Sequence, residues 1–107
     1  MKIVAVVATN EGIGNTKLAV SNLEQGVMVL GVDIKVESVG ASGAKNVLDD
    51  EDIKEADAVI VASDDVTVDM ARFEGKPLKT MSVMDAAHSA VKLIQEAEQS
   101  GFEVYKG

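Results

Sequence analysis

Short apolar runs alternate with helix-like stripes along the chain, and this alternation indicates which segments are strands. Four runs have the length of strands, and they cover residues 3–8, 32–39, 58–62 and 78–81. The first and the third are apolar at nearly every position, which is typical of strands covered by helices on both faces. Pro77 stands at the start of the fourth run, where a missing backbone donor is tolerated.

The longest amphipathic stripe follows the first strand and predicts a helix. Its apolar positions recur at intervals of three and four, which places them on one face. They are Thr16, Val20, Leu23, Val27 and Leu30. We expect Asn15 or Thr16 to cap the start of this helix and Gly31 to end it. Gly26 lies inside the stripe and costs about 1 kcal/mol of helix stability relative to alanine.

A second stripe predicts the last helix of the chain. Ser82 and Asp85 match a capping box at its start, and we expect it to finish near Gly101. Its apolar positions are Val83, Ala87, Ala90, Ile94 and Ala97. A short helix is expected before the third strand and a helical turn over residues 66–73. Residues 102–107 form either a tail or a short extra strand.

This order of elements predicts a single α/β domain over residues 1–107, built as a three-layer open sheet. Right-handed crossovers between parallel strands place helices on both faces of a four-stranded parallel core. The first strand is expected to have a neighbour on each side. In such sheets, ligands bind beyond the carboxyl ends of the strands, near the point where the strand order reverses. The loop after the first strand is therefore the expected place for chemistry.

Composition narrows the classes of function. The 10 Lys and Arg residues against 18 Asp and Glu residues give a net charge of −8, which disfavours nucleic acid and anionic membranes as partners. The chain has no cysteine and one histidine, which excludes thiol chemistry and multi-histidine metal sites. No apolar run approaches the roughly 20 residues of a membrane span, and no signal peptide is evident. We expect a cytoplasmic protein without direct membrane insertion.

The loop after the first strand contains two glycines and leads into a helix, a combination that can form a nest of amide donors for an anion. Its residues are Thr9, Asn10, Glu11, Gly12, Ile13, Gly14, Asn15 and Thr16. Two interpretations stay open on geometry alone: a phosphate cradle, or a turn that simply needs small residues. The carboxylate of Glu11 weighs against an anion because like charges repel.

Two cofactor patterns match this loop only in part. Gly12 and Gly14 begin a dinucleotide fingerprint, but Lys17 stands where its third glycine belongs. The loop also looks like the phosphate loop of flavodoxins, a family that typically sandwiches its flavin between aromatic side chains. This chain has only two Phe and one Tyr. We therefore expect no cofactor and keep a flavodoxin-like binder as a third interpretation.

A set of short motifs recurs in order from Ile3 to about Ala97. They are Ala5-Val6, Gly12-Ile13, Thr16, Lys35-Val36-Glu37, Gly40, Gly43, Asn46, Leu48, Glu51-Asp52-Ile53, Ala56-Asp57, Val59-Ile60, Ala62, Val68-Asp69, Arg72-Phe73, Gly75-Lys76-Pro77 and Ser82-Val83. This ordered set resembles the fructose-type IIB (EIIB) subunit of the bacterial sugar phosphotransferase system. The resemblance agrees with the fold class derived above.

The resemblance implies a phosphoryl carrier. A cysteine at the end of the first strand of that family accepts a phosphoryl group from a IIA partner and passes it to a sugar held by the membrane IIC partner. Here Thr9 stands at the cysteine position, Glu11 at a Thr/Ser position, Asn15 at a histidine position and Thr80 at a basic position. A hydroxyl without an adjacent base is a far weaker nucleophile than a thiolate. We expect a site that is inactive as written, and a silent docking or regulatory module is the alternative.

Other charged residues carry weaker hypotheses. Arg72 and Lys76 are candidates for docking a IIA partner, or they form ordinary surface salt bridges. The acidic cluster at residues 49–52 suits either a divalent cation or the positive end of a short helix, and we favour the helix. Asp64, Asp65 and Asp69 follow the third strand. They suit either a metal ion or a solvated loop, and we favour the loop and expect no metal site.

Overall fold

In the computed structural model, which describes residues 1–9, 13–40, 43–64, 68 and 70–106, a five-stranded sheet runs through the centre. The strands are β1 (Lys2–Thr9), β2 (Asp33–Gly40), β3 (Gly43–Lys45), β4 (Ala58–Asp64) and β5 (Leu78–Met81). Their spatial order is β3-β2-β1-β4-β5. β1, β2, β4 and β5 run parallel to one another. The predicted parallel core, with a neighbour on each side of β1, is confirmed.

Helices cover both faces of this sheet. They are α1 (Ile13–Leu30), α2 (Asp50–Glu55), a 3-10 helix (Ala71–Phe73), α3 (Val83–His88) and α4 (Ala90–Glu98). Because successive side chains of a strand point to opposite faces, β1 contributes to two cores. Its odd-numbered apolar residues pack with α1, α3 and α4, and its even-numbered residues pack with α2 and the 3-10 helix. The predicted three layers are therefore present.

The edge strand β3 differs from the prediction. The sequence predicted four strands and did not predict β3, which runs antiparallel to β2, with Gly40 and Gly43 as register partners. Gly43 has a φ of 107°, a conformation that a glycine adopts without strain. All three residues of β3 are exposed, so they carry no hydrophobic pattern from which the strand was predictable.

The first helix begins earlier than expected. It starts at Ile13, so Asn15 and Thr16 lie inside its first turn and do not cap it, which corrects the prediction. The predicted end is confirmed, since Gly31 has a φ of 69°. Gly26 has a packing role: a Cβ built there would lie 2.9 Å from Cδ1 of Ile94, so the glycine lets α4 approach α1 closely.

The single helix predicted near the end of the chain is divided in two. Ser89 has a φ of −116° and a ψ of 21°, which interrupts the helix between α3 and α4. The five apolar positions of the stripe are all buried nevertheless. Ser82 caps α3 as expected, because its hydroxyl accepts a hydrogen bond from the Asp85 amide at 3.1 Å. The bend therefore keeps one apolar face on the sheet.

The last described residues run along the start of β5. Val104 forms an antiparallel bridge with Pro77, and the Leu78 amide donates to the Glu103 carbonyl at 2.8 Å. The Tyr105 amide donates to the Lys76 carbonyl at 2.9 Å, and Phe102 is buried. The segment is therefore neither a free tail nor a full extra strand, because it pairs with the residues before β5 through a single bridge. The chain here runs toward the amino end of the sheet, where β1 also begins.

Candidate functional site at the carboxyl end of the sheet

The strand order reverses at the boundary between β1 and β4. From β1 the chain crosses to β2 on one side, and β4 then lies on the other side of β1. Thr9 and Asp64 are the last residues of these two strands, and they are partners in the parallel register. This is the place where open α/β sheets bind ligands, and the loop expected to carry chemistry follows Thr9 at this point.

Thr9 is the only residue of the predicted loop whose side chain the structure describes. It is 1% exposed and continues the series of β1 side chains that face α1 and α3. Asn10, Glu11 and Gly12 lie outside the described residues. The backbone of residues 13–16 forms the first turn of α1, and their side chains also lie outside the described part. The amino end of α1 is thus four residues after Thr9.

Asp64 binds the start of α3 at the same edge of the sheet. Its Oδ1 accepts a hydrogen bond from the backbone amide of Val83, the first residue of α3, at 3.2 Å. The carboxylate therefore anchors the start of α3 beside the ends of β1 and β4. The sequence indicated a solvated loop or a metal ion for this residue and did not indicate this contact, which joins positions 19 residues apart. Asp65 and Asp69 lie outside the described residues.

A buried ion pair lies on the face of the sheet that carries α2 and the 3-10 helix, opposite the face of Thr9. Glu37 of β2 accepts two hydrogen bonds from the guanidinium of Arg72, at 3.0 and 2.8 Å. It also accepts one from the Leu48 amide at 2.9 Å. The side chain of Glu37 is 6% exposed, and the Arg72 guanidinium lies 4.8 Å from the centre of the Phe73 ring. One carboxylate thus holds both the chain before α2 and the 3-10 helix.

Opposing influences act on the pKa of Glu37. Burial raises it, and the hydrogen bonds from Arg72 and from the Leu48 amide, together with the Arg72 charge, lower it. The net direction is downward, so Glu37 is ionised at neutral pH. This pair was missed in the sequence. Its one signal was a charged residue at an inward-facing position of β2, between the buried Val36 and the half-buried Val39.

Comparison with known proteins decides the family. Residues 4–104 match the family described as "PTS system, Lactose/Cellobiose specific IIB subunit". The fructose-like EIIB component 2 of Escherichia coli (strain K12) is 34% identical over 97 residues, which cover 91% of this chain and 92% of that protein. The chain belongs to the fructose-type EIIB family. The resemblance read from the ordered motifs is confirmed.

Solved structures agree with this EIIB assignment. A domain of fruA from Bacillus subtilis superposes with a TM-score of 0.89 at 37% identity, covering 98% of this chain and all of that one. A flavodoxin from the domain Archaea gives a TM-score of 0.58 at 14% identity, which shows a shared fold alone. The chain spans only 16% of the fructose-specific EIIABC component of Bacillus subtilis, with which it is 39% identical over 106 residues.

The two predicted docking residues are engaged within the EIIB domain itself. Arg72 forms the pair with Glu37, and its side chain is 23% exposed. Lys76 donates from Nζ to the carbonyls of Lys54 and Ala56, at 2.8 and 2.9 Å, where α2 ends. Lys76 precedes β5 and so lies at the amino end of the sheet, away from Thr9. The described contacts of both residues stabilise the fold.

The acidic cluster at residues 49–52 starts α2. Asp49 and Asp52 form a reciprocal capping box, and Asp52 also pairs with Lys35 and Lys2. The hydrogen bond from Lys35, the Asp49 amide and the Lys35 charge lower the pKa of Asp52 well below its ordinary value. Within the described ranges, no group of three or more His, Asp or Glu side chains is arranged to hold a metal ion. None of the helices described there is long and apolar enough to cross a membrane.

Proposed function

We propose that this EIIB-like protein has lost the phosphoryl-carrier step and is inactive in phosphotransfer as written. The observation that carries the proposal is Thr9, which occupies the end of β1, where the resemblance implies a phosphocysteine. Thr9 is buried and lies in register with a carboxylate, Asp64. The alternative of a separate regulatory module is not favoured, because the relatives and solved structures are named as EIIB components or domains.

The chemistry of transfer explains why this substitution matters. An acceptor must attack the phosphorus of a phosphohistidine, so that a new bond to phosphorus forms as the bond to the imidazole nitrogen breaks. A thiolate has its attacking electron pair free at neutral pH, whereas a hydroxyl must first lose a proton to a base. Asp64, the carboxylate in register with Thr9, is held at the start of α3, where its Oδ1 accepts the Val83 amide. Glu11 adds like charge in the loop, which opposes an incoming phosphoryl group.

We also propose partners, a cellular location and a domain organisation for the protein. IIA and IIC components of a sugar phosphotransferase system are its proposed partners, and its proposed location is cytoplasmic. Residues 1–107 are taken as one EIIB-like domain. The support is the family itself, together with relatives named as the EIIABC and EIIB'BC components of fructose systems.

The test is intact-mass measurement after incubation with a phosphorylated IIA donor. We expect no added phosphoryl group on the native chain, weak phosphorylation of Thr9→Cys, and stronger phosphorylation when Glu11→Thr is added. Thr80→Cys is the matched control, because it places the only cysteine of the chain on an exposed threonine of β5 and should stay unmodified. A phosphoryl group on the native chain, localised to Thr9, would refute the proposal.

A further inference from the structure

Asp64 and position 9 are neighbours on one face of the sheet. They are register partners on adjacent parallel strands, whose backbones lie about 4.8 Å apart. On β1, residues 3, 5 and 7 face the α1–α3 side, and on β4, residues 58, 60 and 62 do the same. Since side chains alternate along a strand, residues 9 and 64 continue these two series. Their side chains therefore project side by side.

The Val83 amide fixes the carboxylate in this place. The hydrogen bond of 3.2 Å ties Oδ1 of Asp64 to the first residue of α3, and Asp64 is only half-exposed. Position 9 itself is 1% exposed. A charge held next to a buried position is poorly screened by water, so its effect on a neighbouring ionisable group is larger than on the open surface.

We infer that Asp64 is a positioning residue of this site: it anchors the start of α3 and sets the ionisation of whatever group occupies position 9. This inference deepens the proposed function, on which it rests only for taking position 9 as the acceptor position. A carboxylate beside that position disfavours a second negative charge there. Asp64 thus determines, together with the residue at position 9, how readily the site holds an anionic acceptor.

The other charged side chains of α1 and α3, the helices on this face next to β1 and β4, are all exposed. They are Lys17 and Glu24 on α1, and Asp85 and His88 on α3. Glu37 and Arg72 lie on the other face of the sheet, paired with each other. These groups stay the same in the variants compared below, so their contributions cancel in the difference.

The experiment measures the thiol pKa of Thr9→Cys with and without Asp64→Asn. The native chain has no cysteine and one tyrosine, Tyr105, so the ultraviolet absorbance of each cysteine variant minus that of its parent without the cysteine reports the thiolate at position 9, without any need for a reagent to reach it. Asparagine keeps an oxygen that accepts the Val83 amide and removes only the charge. We expect the thiol pKa of the double variant to be lower by about one unit or more, because a like charge on the register partner of a buried ionising group is removed.

The control is Thr9→Cys with Asp50→Asn. It removes one exposed carboxylate from α2, on the other side of the sheet, and should leave the thiol pKa unchanged. Equal thiol pKa values in Thr9→Cys and Thr9→Cys/Asp64→Asn would overturn the inference about ionisation. No phosphoryl donor is used, so either result is independent of whether the site accepts a phosphoryl group.

The anchoring role has its own measurement in the native background. Hydrogen exchange of the Val83 amide should quicken at least about tenfold in Asp64→Ala, because the acceptor is lost, and should change little in Asp64→Asn. Unchanged exchange in Asp64→Ala would overturn the anchoring role. This second measurement requires no cysteine variant to fold.

Discussion

Replacing Arg72 with alanine should destabilise the protein far more than removing an ordinary surface cation. The change leaves the Glu37 carboxylate, 6% exposed, without the guanidinium that donates two hydrogen bonds to it. Removing one partner of a buried pair costs about 3–5 kcal/mol. Because Arg72 itself is 23% exposed and the Leu48 amide still donates to Glu37, we expect the lower part of that range, about 3 kcal/mol.

The stability cost of Arg72→Ala should depend on pH, and the pKa of Glu37 determines in which direction. In the native protein the pKa of Glu37 is lowered, so the pair contributes stability above the ordinary glutamate pKa and loses it as pH falls. Without Arg72, burial raises the pKa of this carboxyl instead. The folded variant then takes up a proton as pH falls, and the destabilisation relative to the native protein should shrink between pH ~7 and ~4.5.

Urea denaturation followed by circular dichroism measures both effects. Lys79→Ala is the matched control, because Lys79 also donates two hydrogen bonds to one carboxylate, Glu96, but with 41% and 32% of the two side chains exposed. An exposed pair of this kind is worth about 0–1 kcal/mol. If Arg72→Ala costs no more than Lys79→Ala, or if its cost does not shrink as pH falls, the reasoning about a buried pair is wrong.

Two further predictions concern the core and the acidic cluster. Ile60→Ala should lower the free energy of unfolding by about 2–5 kcal/mol, since Ile60 is fully buried on β4; a loss below about 1 kcal/mol in urea denaturation would contradict this. Lys35 lowers the pKa of Asp52, so their pairing stabilises the fold above the ordinary aspartate pKa of 3.8 and is lost as pH falls. In Lys35→Met, the acid limb of a stability–pH curve should therefore be shallower than in the native protein, and an equally steep limb would count against the pairing.

Continuous apolar runs made most of the fold predictable. The sequence 3–8 is apolar at every position, and the structure buries all of it, because β1 lies between two layers of helix. The strand-like runs and helical stripes predict a core that includes seven residues, of which six are buried, namely Ala5, Val6, Leu23, Val59, Ile60 and Ile94. Ile34 is only half-buried, although it packs against the α1 side. Neighbouring elements cover side chains near the edge of the sheet, where β2 lies, less completely than side chains at its centre.

The features that could not be predicted from the sequence are contacts between positions far apart in the chain. Glu37 and Arg72 are 35 residues apart, and no local pattern records that they will meet. Thr9 and Asp64 become neighbours only through the register of β1 and β4. The order of elements therefore indicated where a site should lie, and the motif resemblance indicated its chemistry. The register of β1 and β4, which the sequence does not reveal, determines which carboxylate lies beside position 9.

The direction of the two chain ends has a practical consequence for tethering. β1 begins at the amino edge of the sheet, and the segment bridged to Pro77 runs toward that same edge. The seven steps from Lys2 to Thr9 span about 23 Å, so an affinity tag, a surface linker or a neighbouring domain joined before β1 starts roughly that far from Thr9, and one joined after the bridged segment starts from the same edge. An immobilised or fused copy can thus present its carboxyl edge outward, unobstructed by its own attachment.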